Sequence, residues 1–352
     1  MRGNKYLLTL LVLFASVAVT KAQQDPYYTH FKFNKQAYNP AAVGERNDLI
    51  CMNAIAHRQW LGFDDVTAVD RNSGNPQAGG EIIEDVAPIT YNFNIGGQIT
   101  SKKRNKTFGA IGLSVYDDQI SFFHSTTFKF QGAYFIPIQG KFARLSVGFE
   151  AGLYEYRLEK NQFRALQQFD PRIPPNGSNI NDRNLDVGVG VYYKQRRFFG
   201  MENFYAGFSM THVTAPKYDL QWTGGSMNID QERHIYFVTG VNIPVGANLE
   251  LEPSLLIKNK SKTQFDANVT ALYNESIRGG VGYRQWGNID ALSLMVGYVL
   301  GEIQVGYSYD ITLSRIRQVS NGTHEIMFSY CFPLVVKPPV EKIHFYRNTR
   351  WL

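Results

Sequence analysis

The sequence predicts an all-β protein: a transmembrane antiparallel β-barrel of the outer membrane, with about 14 strands and an N-terminal segment as a partial plug. Three observations carry this. Apolar side chains alternate with small or polar ones in window after window. Aromatic residues are abundant, with 24 Phe and 21 Tyr in 352 residues. Beyond the N-terminus polar residues recur every second or third position, and mean hydropathy is only −0.26, so no apolar run is long enough for a spanning helix.

Alternation is explicit in Leu145, Val147, Phe149, Ala151 and Leu153 against Ser146, Gly148, Glu150 and Gly152. It returns in Leu185–Lys194 and again in Ile303–Ile311. A period of two belongs to a strand, since a helix repeats every 3.6 residues and would mix the two sets. A soluble sandwich also has one greasy face, but here the greasy positions stay large and aromatic through successive strands. Aromatics at Tyr154, Tyr156, Tyr192, Tyr193, Phe198, Phe199 and Tyr283 fall near strand ends and are expected at the membrane interfaces.

Residues 1–22 read as a secretory signal peptide, two positive charges followed by a short apolar run and a small-residue cleavage site before Gln23. Residues 23–47, which begin QQDPYYTHFKFNKQAYNPAAVG, form a polar but aromatic-studded segment. Residues 48–333 make the barrel, with strands expected near 49–59, 88–99, 107–117, 123–136, 143–156, 184–194, 203–212, 233–244, 249–258, 264–274, 276–285, 289–300, 302–314 and 323–332. An even count places both termini in the periplasm. Long connections at about 60–87, 157–183 and 213–232 then all follow odd strands, whereas those after even strands are short. Residues 334–352, with Pro338-Pro339 and Phe345, Tyr346 and Trp351, are either an anchored periplasmic tail or a free end.

Inward positions include Lys129, Arg144, Glu150, Asp186, Lys194, Glu250, Glu252, Lys258, Asp266, Arg278, Arg284 and Asp310. Their mixed signs predict cross-lumen ion pairs rather than a selective constriction. Fourteen strands can enclose an open lumen, so the 23–47 segment is the expected filling. Its stretch from Gln23 to Gly44 is long enough, at about 22 residues, to cross a membrane when extended, and is expected to start in the periplasm and pack in or under the barrel mouth. Asn39-Pro40 supplies a turn before the first strand. Cys51 and Cys331 lie in the first and last strands, neighbours in a closed barrel; a seam disulfide and two free thiols at unmatched heights both fit.

No catalytic, cofactor or metal site is expected. His124, His212 and His324 are isolated parts of a triad and read as solvated or loop histidines. The run from Asp70 to Glu81 has calcium-loop flavour but lacks the fifth-position acid and the turn glycine. The net charge of +6 is dispersed, and no motif points to nucleic acid.

Taken together, Gln24-Asp25-Pro26, Phe31-x-Phe33-Asn34, Tyr38-Asn39-Pro40-Ala41 with Gly44, Arg58-Gln59-Trp60-x-Gly62-Phe63, Phe169-Asp170-Pro171, Tyr307-Ser308-Tyr309-Asp310 and Thr323-His324-Glu325-Ile326 resemble the PorP/SprF family of the Type IX secretion system. The resemblance spans nearly the whole mature chain. It implies a non-enzymatic outer-membrane component that anchors or assists surface display of secreted cargo, such as adhesins used in gliding motility, and contacts the periplasmic ring of the machine. Partners would be those ring proteins, the cargo and outer-membrane lipid. Asp25, Pro26, Phe31, Phe33, Asn34, Tyr38, Asn39, Pro40, Arg58, Gln59 and Trp60 become the expected plug or partner contacts. A porin-like or substrate-selective diffusion channel is the other reading of the same barrel.

Overall fold

Period-two patterning dictates strands with one face for lipid and one for the lumen, and closure removes the unpaired edges that a membrane cannot tolerate. The computed structural model describes residues 25–46, 49–63, 86–101, 106–138, 143–158, 180–260, 262–286 and 289–333. Sixteen strands are present among them: β1 (Leu49–Arg58), β2 (Ile89–Ser101), β3 (Lys106–Ile120), β4 (Phe123–Ile138), β5 (Ala143–Leu158), β6 (Ile180–Phe198), β7 (Met201–Thr211), β8 (Lys217–Trp222), β9 (Gly225–Asp230), β10 (His234–Val245), β11 (Leu249–Asn259), β12 (Thr263–Tyr273), β13 (Ile277–Trp286), β14 (Ile289–Leu300), β15 (Ile303–Thr312) and β16 (Thr323–Pro333). Fourteen of these form a closed barrel in sequence order, sealed by β1 against β16, and β8–β9 form a separate two-stranded sheet. No helix among the described residues is long and apolar enough to cross a membrane.

The fourteen expected strands are the fourteen barrel strands, several of them longer than their patterns suggested. β6 is the extreme case, expected over 184–194 and observed over Ile180–Phe198. The hairpin β8–β9 was not expected inside the 213–232 connection. Its signals were present: Tyr218, Leu220 and Trp222 alternate, and Gly224 takes the left-handed φ of 104° that its turn requires. The signal peptide, the run from Asp70 to Glu81, most of the 60–87 and 157–183 connections and the 334–352 tail lie outside the described residues.

Outward side chains form a lipid-facing apolar surface, with Phe130 73% and Leu185 74% exposed to whatever surrounds the barrel. Three aromatics expected at the interface belong elsewhere. Tyr154 and Tyr192 are buried in the lumen and Tyr156 packs inward against Tyr218, because they share parity with Gly148, Glu150 and Gly190 rather than with the greasy set. Tyr283 and Phe199 do face outward.

The two cysteines resolve the seam. β1 and β16 pair in a register that places Cys51 directly opposite Cys331, their Cα atoms 4.1 Å apart, and the Sγ atoms are bonded. The bridge links residues 280 positions apart and locks the closing pair of strands. Thiol labelling of the folded protein is therefore expected to modify no cysteine until reductant is added, and both afterwards. Cys51→Ser is expected to lower stability by about 2–4 kcal/mol, read from denaturant unfolding.

Candidate functional site

Residues 25–46 fill the barrel. Their path is set by which wall groups can satisfy each part of the segment. Asp25 lies at the end of the barrel that carries the long connections, where its carboxylate meets His212, His234 and the Tyr236 hydroxyl. From there the chain descends. Thr29 and His30 bond to Asp310 and Glu325, and Lys32 reaches Glu252 toward the short-turn end. One helical turn, α1 (Lys35–Tyr38), and a 3-10 turn over Pro40–Ala42 then reverse the direction, and Glu45 leaves toward β1 beside Lys194 and Arg144. The first described residue of the segment is held at the long-connection end, because its charge partners His212 and His234 are there.

Local chemistry explains the reversal. The Asn39 side chain accepts a hydrogen bond from the Ala41 N–H at 2.9 Å, and Pro40 opens the turn where no backbone donor is needed. The Asn39 amide meanwhile donates to the Val191 carbonyl at 3.0 Å, fastening the turn to β6. The wall is hollowed to receive it. Gly148 and Gly190 face each other on β5 and β6, and a Cβ on Gly148 would stand 2.2 Å from the Ala41 nitrogen. A Cβ on Gly190 would stand 2.2 Å from the Asn39 Oδ1. The small residues of these strands are therefore a socket as well as the lesser half of an alternating pattern.

Aromatic packing supplies the apolar part of the contact. Tyr28, Phe31 and Tyr38 are buried with Tyr192, Tyr205 and Tyr236, and burying each such ring contributes about 1.5–3 kcal/mol. Tyrosine suits a lumen that is half apolar and half wet, since the ring packs while the hydroxyl finds a partner. The Tyr38 hydroxyl accepts from the Tyr28 N–H at 3.0 Å, and the Tyr192 hydroxyl donates to Glu45 at 2.8 Å.

Charge is handled by pairing. Glu325 accepts from the backbone N–H groups of Thr29 and His30, at 2.9 and 2.7 Å, and also holds the Nδ1 atoms of His30 and His57 at 2.7 and 2.9 Å. Arg284 bridges Asp266 and Asp310 at 2.5 and 2.7 Å and donates to the Thr29 hydroxyl at 3.1 Å. Glu252 takes Lys32 at 2.8 Å and Arg278 at 3.0 Å. Lys129 and Glu150 pair at 3.2 Å, with Gln131 joining Glu150 to the Gln36 carbonyl. Glu45 pairs with Lys35 at 2.8 Å; burial alone would raise its carboxyl, but the ammoniums of Lys35 and Lys194 reverse this and bring it down to about 2.

Most residues singled out in the sequence meet in this assembly. Phe31, Asn34 and Tyr38 are buried in the lumen, Asn94 donates to Asn34, and Phe33 lies under the Arg278 guanidinium at 4.8 Å. Arg144, Glu150, Asp186, Lys194, Glu250, Glu252, Arg278, Arg284 and Asp310 all point inward, as parity required. Arg58, Gln59 and Trp60 sit at the rim instead. There the Gln59 N–H donates to the Pro88 carbonyl and Trp60 packs edge-on against Phe63. His212 is corrected from a solvated histidine to a fully buried one, since it lies just beyond β7 and turns into the lumen. His30, His57, His234 and Glu325 were missed as site residues. Glu325, His57 and His234 each carried a signal, as polar residues on the inward parity of β16, β1 and β10.

The two mouths differ. At the long-connection end the β8–β9 hairpin tucks inward, packing Tyr218, Leu220 and Ile229 on the inward-facing Tyr116 and Tyr154. At the short-turn end a cavity of about 870 Å³ remains, lined among others by Lys32, Lys35, Glu45, Arg46, Glu250 and Arg278.

Comparison with solved structures finds other outer-membrane barrels. A Pseudomonas aeruginosa FadL homologue is similar at 12% identity and TM-score 0.47, covering 89% of this chain and 95% of that one. Acinetobacter baumannii Omp33 is similar at 9% identity and TM-score 0.40, covering 82% and 100%. The deltaS2 mutant of the TodX monoaromatic hydrocarbon channel is similar at 8% identity and TM-score 0.47, covering 83% and 91%. None of the curated proteins compared with the chain matches it in sequence. The model for the Type IX secretion system membrane protein PorP/SprF matches residues 20–330, the plug and the barrel together, and the chain belongs to that family.

Proposed function

We propose that this outer-membrane component of Type IX secretion is a closed, non-enzymatic anchor rather than a pore. The observation that supports this most is the plug: a segment held by Glu325, Arg284, Glu252 and a glycine socket stands where a permeating solute would pass. A channel needs a continuous wet path with weak, reversible contacts along it, and buried multidentate ion pairs are neither weak nor open.

In this reading the short-turn mouth faces the periplasm. Its charged cavity, with Lys32, Glu45 and Arg46 contributed by the plug segment itself, receives a protein of the periplasmic ring. The long connections face outward and hold secreted cargo, for which adhesins used in gliding are the class the family suggests. Affinity purification from native membranes through a small tag on the full-length chain tests it. Recovery of a periplasmic ring protein, weakened by charge reversal at Arg46 while the barrel still folds, is the expected result. Recovery of neither a ring protein nor a surface adhesin would count against the anchor.

A further inference from the structure

The start of the plug is gripped by a constellation that secretion does not explain. We propose that Asp25, His212 and His234 form a binding site for one divalent transition-metal ion of the zinc type, which staples the plug to the barrel wall at the long-connection end.

The donor set is the first ground. One carboxylate oxygen and two imidazole nitrogens, contributed by the plug and by the ends of β7 and β10, all lie within 4.8 Å of one another. His212 Nε2 is 2.8 Å from Asp25 Oδ1 and His234 Nδ1 is 2.8 Å from Asp25 Oδ2. Two imidazoles with one carboxylate leave a fourth position open, the arrangement of a three-ligand zinc site; hard ions such as calcium or magnesium would call for oxygen donors instead.

The second ground is the shell behind the donors. His212 Nδ1 lies 2.5 Å from an Asp186 oxygen, so that with its proton on Nδ1 the ring presents the Nε2 lone pair toward Asp25. Asp186 is itself fixed by the Val187 N–H at 2.8 Å and by the Thr214 hydroxyl. On the other side the Tyr236 hydroxyl donates to Asp25 Oδ2 at 2.8 Å, and Lys258 donates to the Asp25 backbone carbonyl at 2.6 Å. Carboxylate–histidine pairs of this kind orient metal ligands and raise their basicity.

The third ground is an unmet need. His212 Nε2 stands 2.8 Å from a carboxylate oxygen while Nδ1 faces a second carboxylate, an arrangement that calls for a positive charge, on the ring or between Nε2 and Asp25. His234 is fully buried, yet neither of its ring nitrogens makes a hydrogen bond, Nδ1 approaching Asp25 outside hydrogen-bonding geometry. A metal ion answers both needs at once. Its arrival opens the 2.8 Å nitrogen–oxygen separations to about 3.3 Å, the spacing of ligands at zinc bond lengths around a tetrahedron.

The test uses the full chain purified from outer membranes through a tag free of histidine and cysteine. It is stripped with chelator and then titrated with Co²⁺ or Zn²⁺ alone. The expected results are visible d–d absorption of near-tetrahedral Co²⁺, displaced by Zn²⁺, and close to one zinc per chain. His234→Ala abolishes the band, Asp186→Asn weakens affinity by about 10-fold or more, and His324→Ala, outside the site, leaves binding unchanged. Folded wild-type protein that gives no Co²⁺ absorption and no stoichiometric zinc overturns the proposal and assigns the positive charge to a proton on His212. Binding that survives His234→Ala overturns it equally. Should that variant fail to fold, the wild-type spectrum still decides.

Discussion

Deleting residues 23–38 is expected to turn a silent barrel into a conducting one. The full chain in planar bilayers is expected to give no steady current, because Tyr28, Phe31 and Tyr38 occupy the lumen against Tyr192, Tyr205 and Tyr236. The deletion leaves every barrel ladder and the Cys51–Cys331 seam in place, so the protein still migrates as a folded, heat-modifiable barrel. What it removes is the material that excludes water, and the freed Glu325, Asp310 and Glu252 carboxylates then hydrate and line a wet path. Gly148→Val approaches the same end differently, since its side chain must occupy space already held by the Pro40–Ala41 backbone. Overpacking of this sort costs about 1–3 kcal/mol and loosens the turn. A deletion variant that folds and stays electrically silent would reduce the segment to a spacer and locate the seal elsewhere, with the β8–β9 hairpin first in line.

Loss of the Glu325 carboxylate is the second large effect. Glu325→Ala strips one anion from two plug backbone N–H groups and from His30 and His57, all buried in the lumen. Removing one partner of a buried charge cluster costs about 3–5 kcal/mol, because the groups left behind have no water to turn to. Glu325→Gln keeps the shape and two acceptor lone pairs and loses only part of this, about 1–3 kcal/mol. Denaturant unfolding followed by tryptophan fluorescence reads both values. The ordering, alanine worse than glutamine, separates a charge anchor from mere packing; equal small losses would show that the plug is held without Glu325. The Glu325 contact and the proposed metal ligands lie at the same end of the plug, so a chelator that leaves the Glu325→Ala loss unchanged would show the two fastenings to be independent.

How much of this was legible in the sequence differs by element. Every barrel strand was, because lipid on one side and lumen on the other impose a period of two over ten or more residues, and turn residues punctuate it. The tight β12–β13 connection expected at Glu275 turns through Asn274 and Glu275, both with positive φ. The inward charges were readable for the same reason, since parity alone assigns Glu150, Asp186, Arg284 and Asp310 a side. The plug was readable as a segment, through Tyr28, Phe31 and Tyr38, but not as a path.

Parity, however, says only which face a side chain takes, never what stands across from it. Tyr154 and Tyr192 read as interface aromatics until the register showed them inside. Gly148 and Gly190 read as small alternating residues until Asn39 and Ala41 were found against them. His212 and His234 are 22 positions apart, each followed or preceded by nothing that resembles a metal motif, and Asp25 is nearly 190 residues away. The sequence by itself determined a fourteen-stranded outer-membrane barrel with charges of both signs turned inward. Only closure of that barrel decided that its lumen is filled, which charges pair, that Cys51 meets Cys331, and that three distant side chains converge on one point. Closure sets distance between strands far apart in the chain, and a local pattern carries no record of that distance.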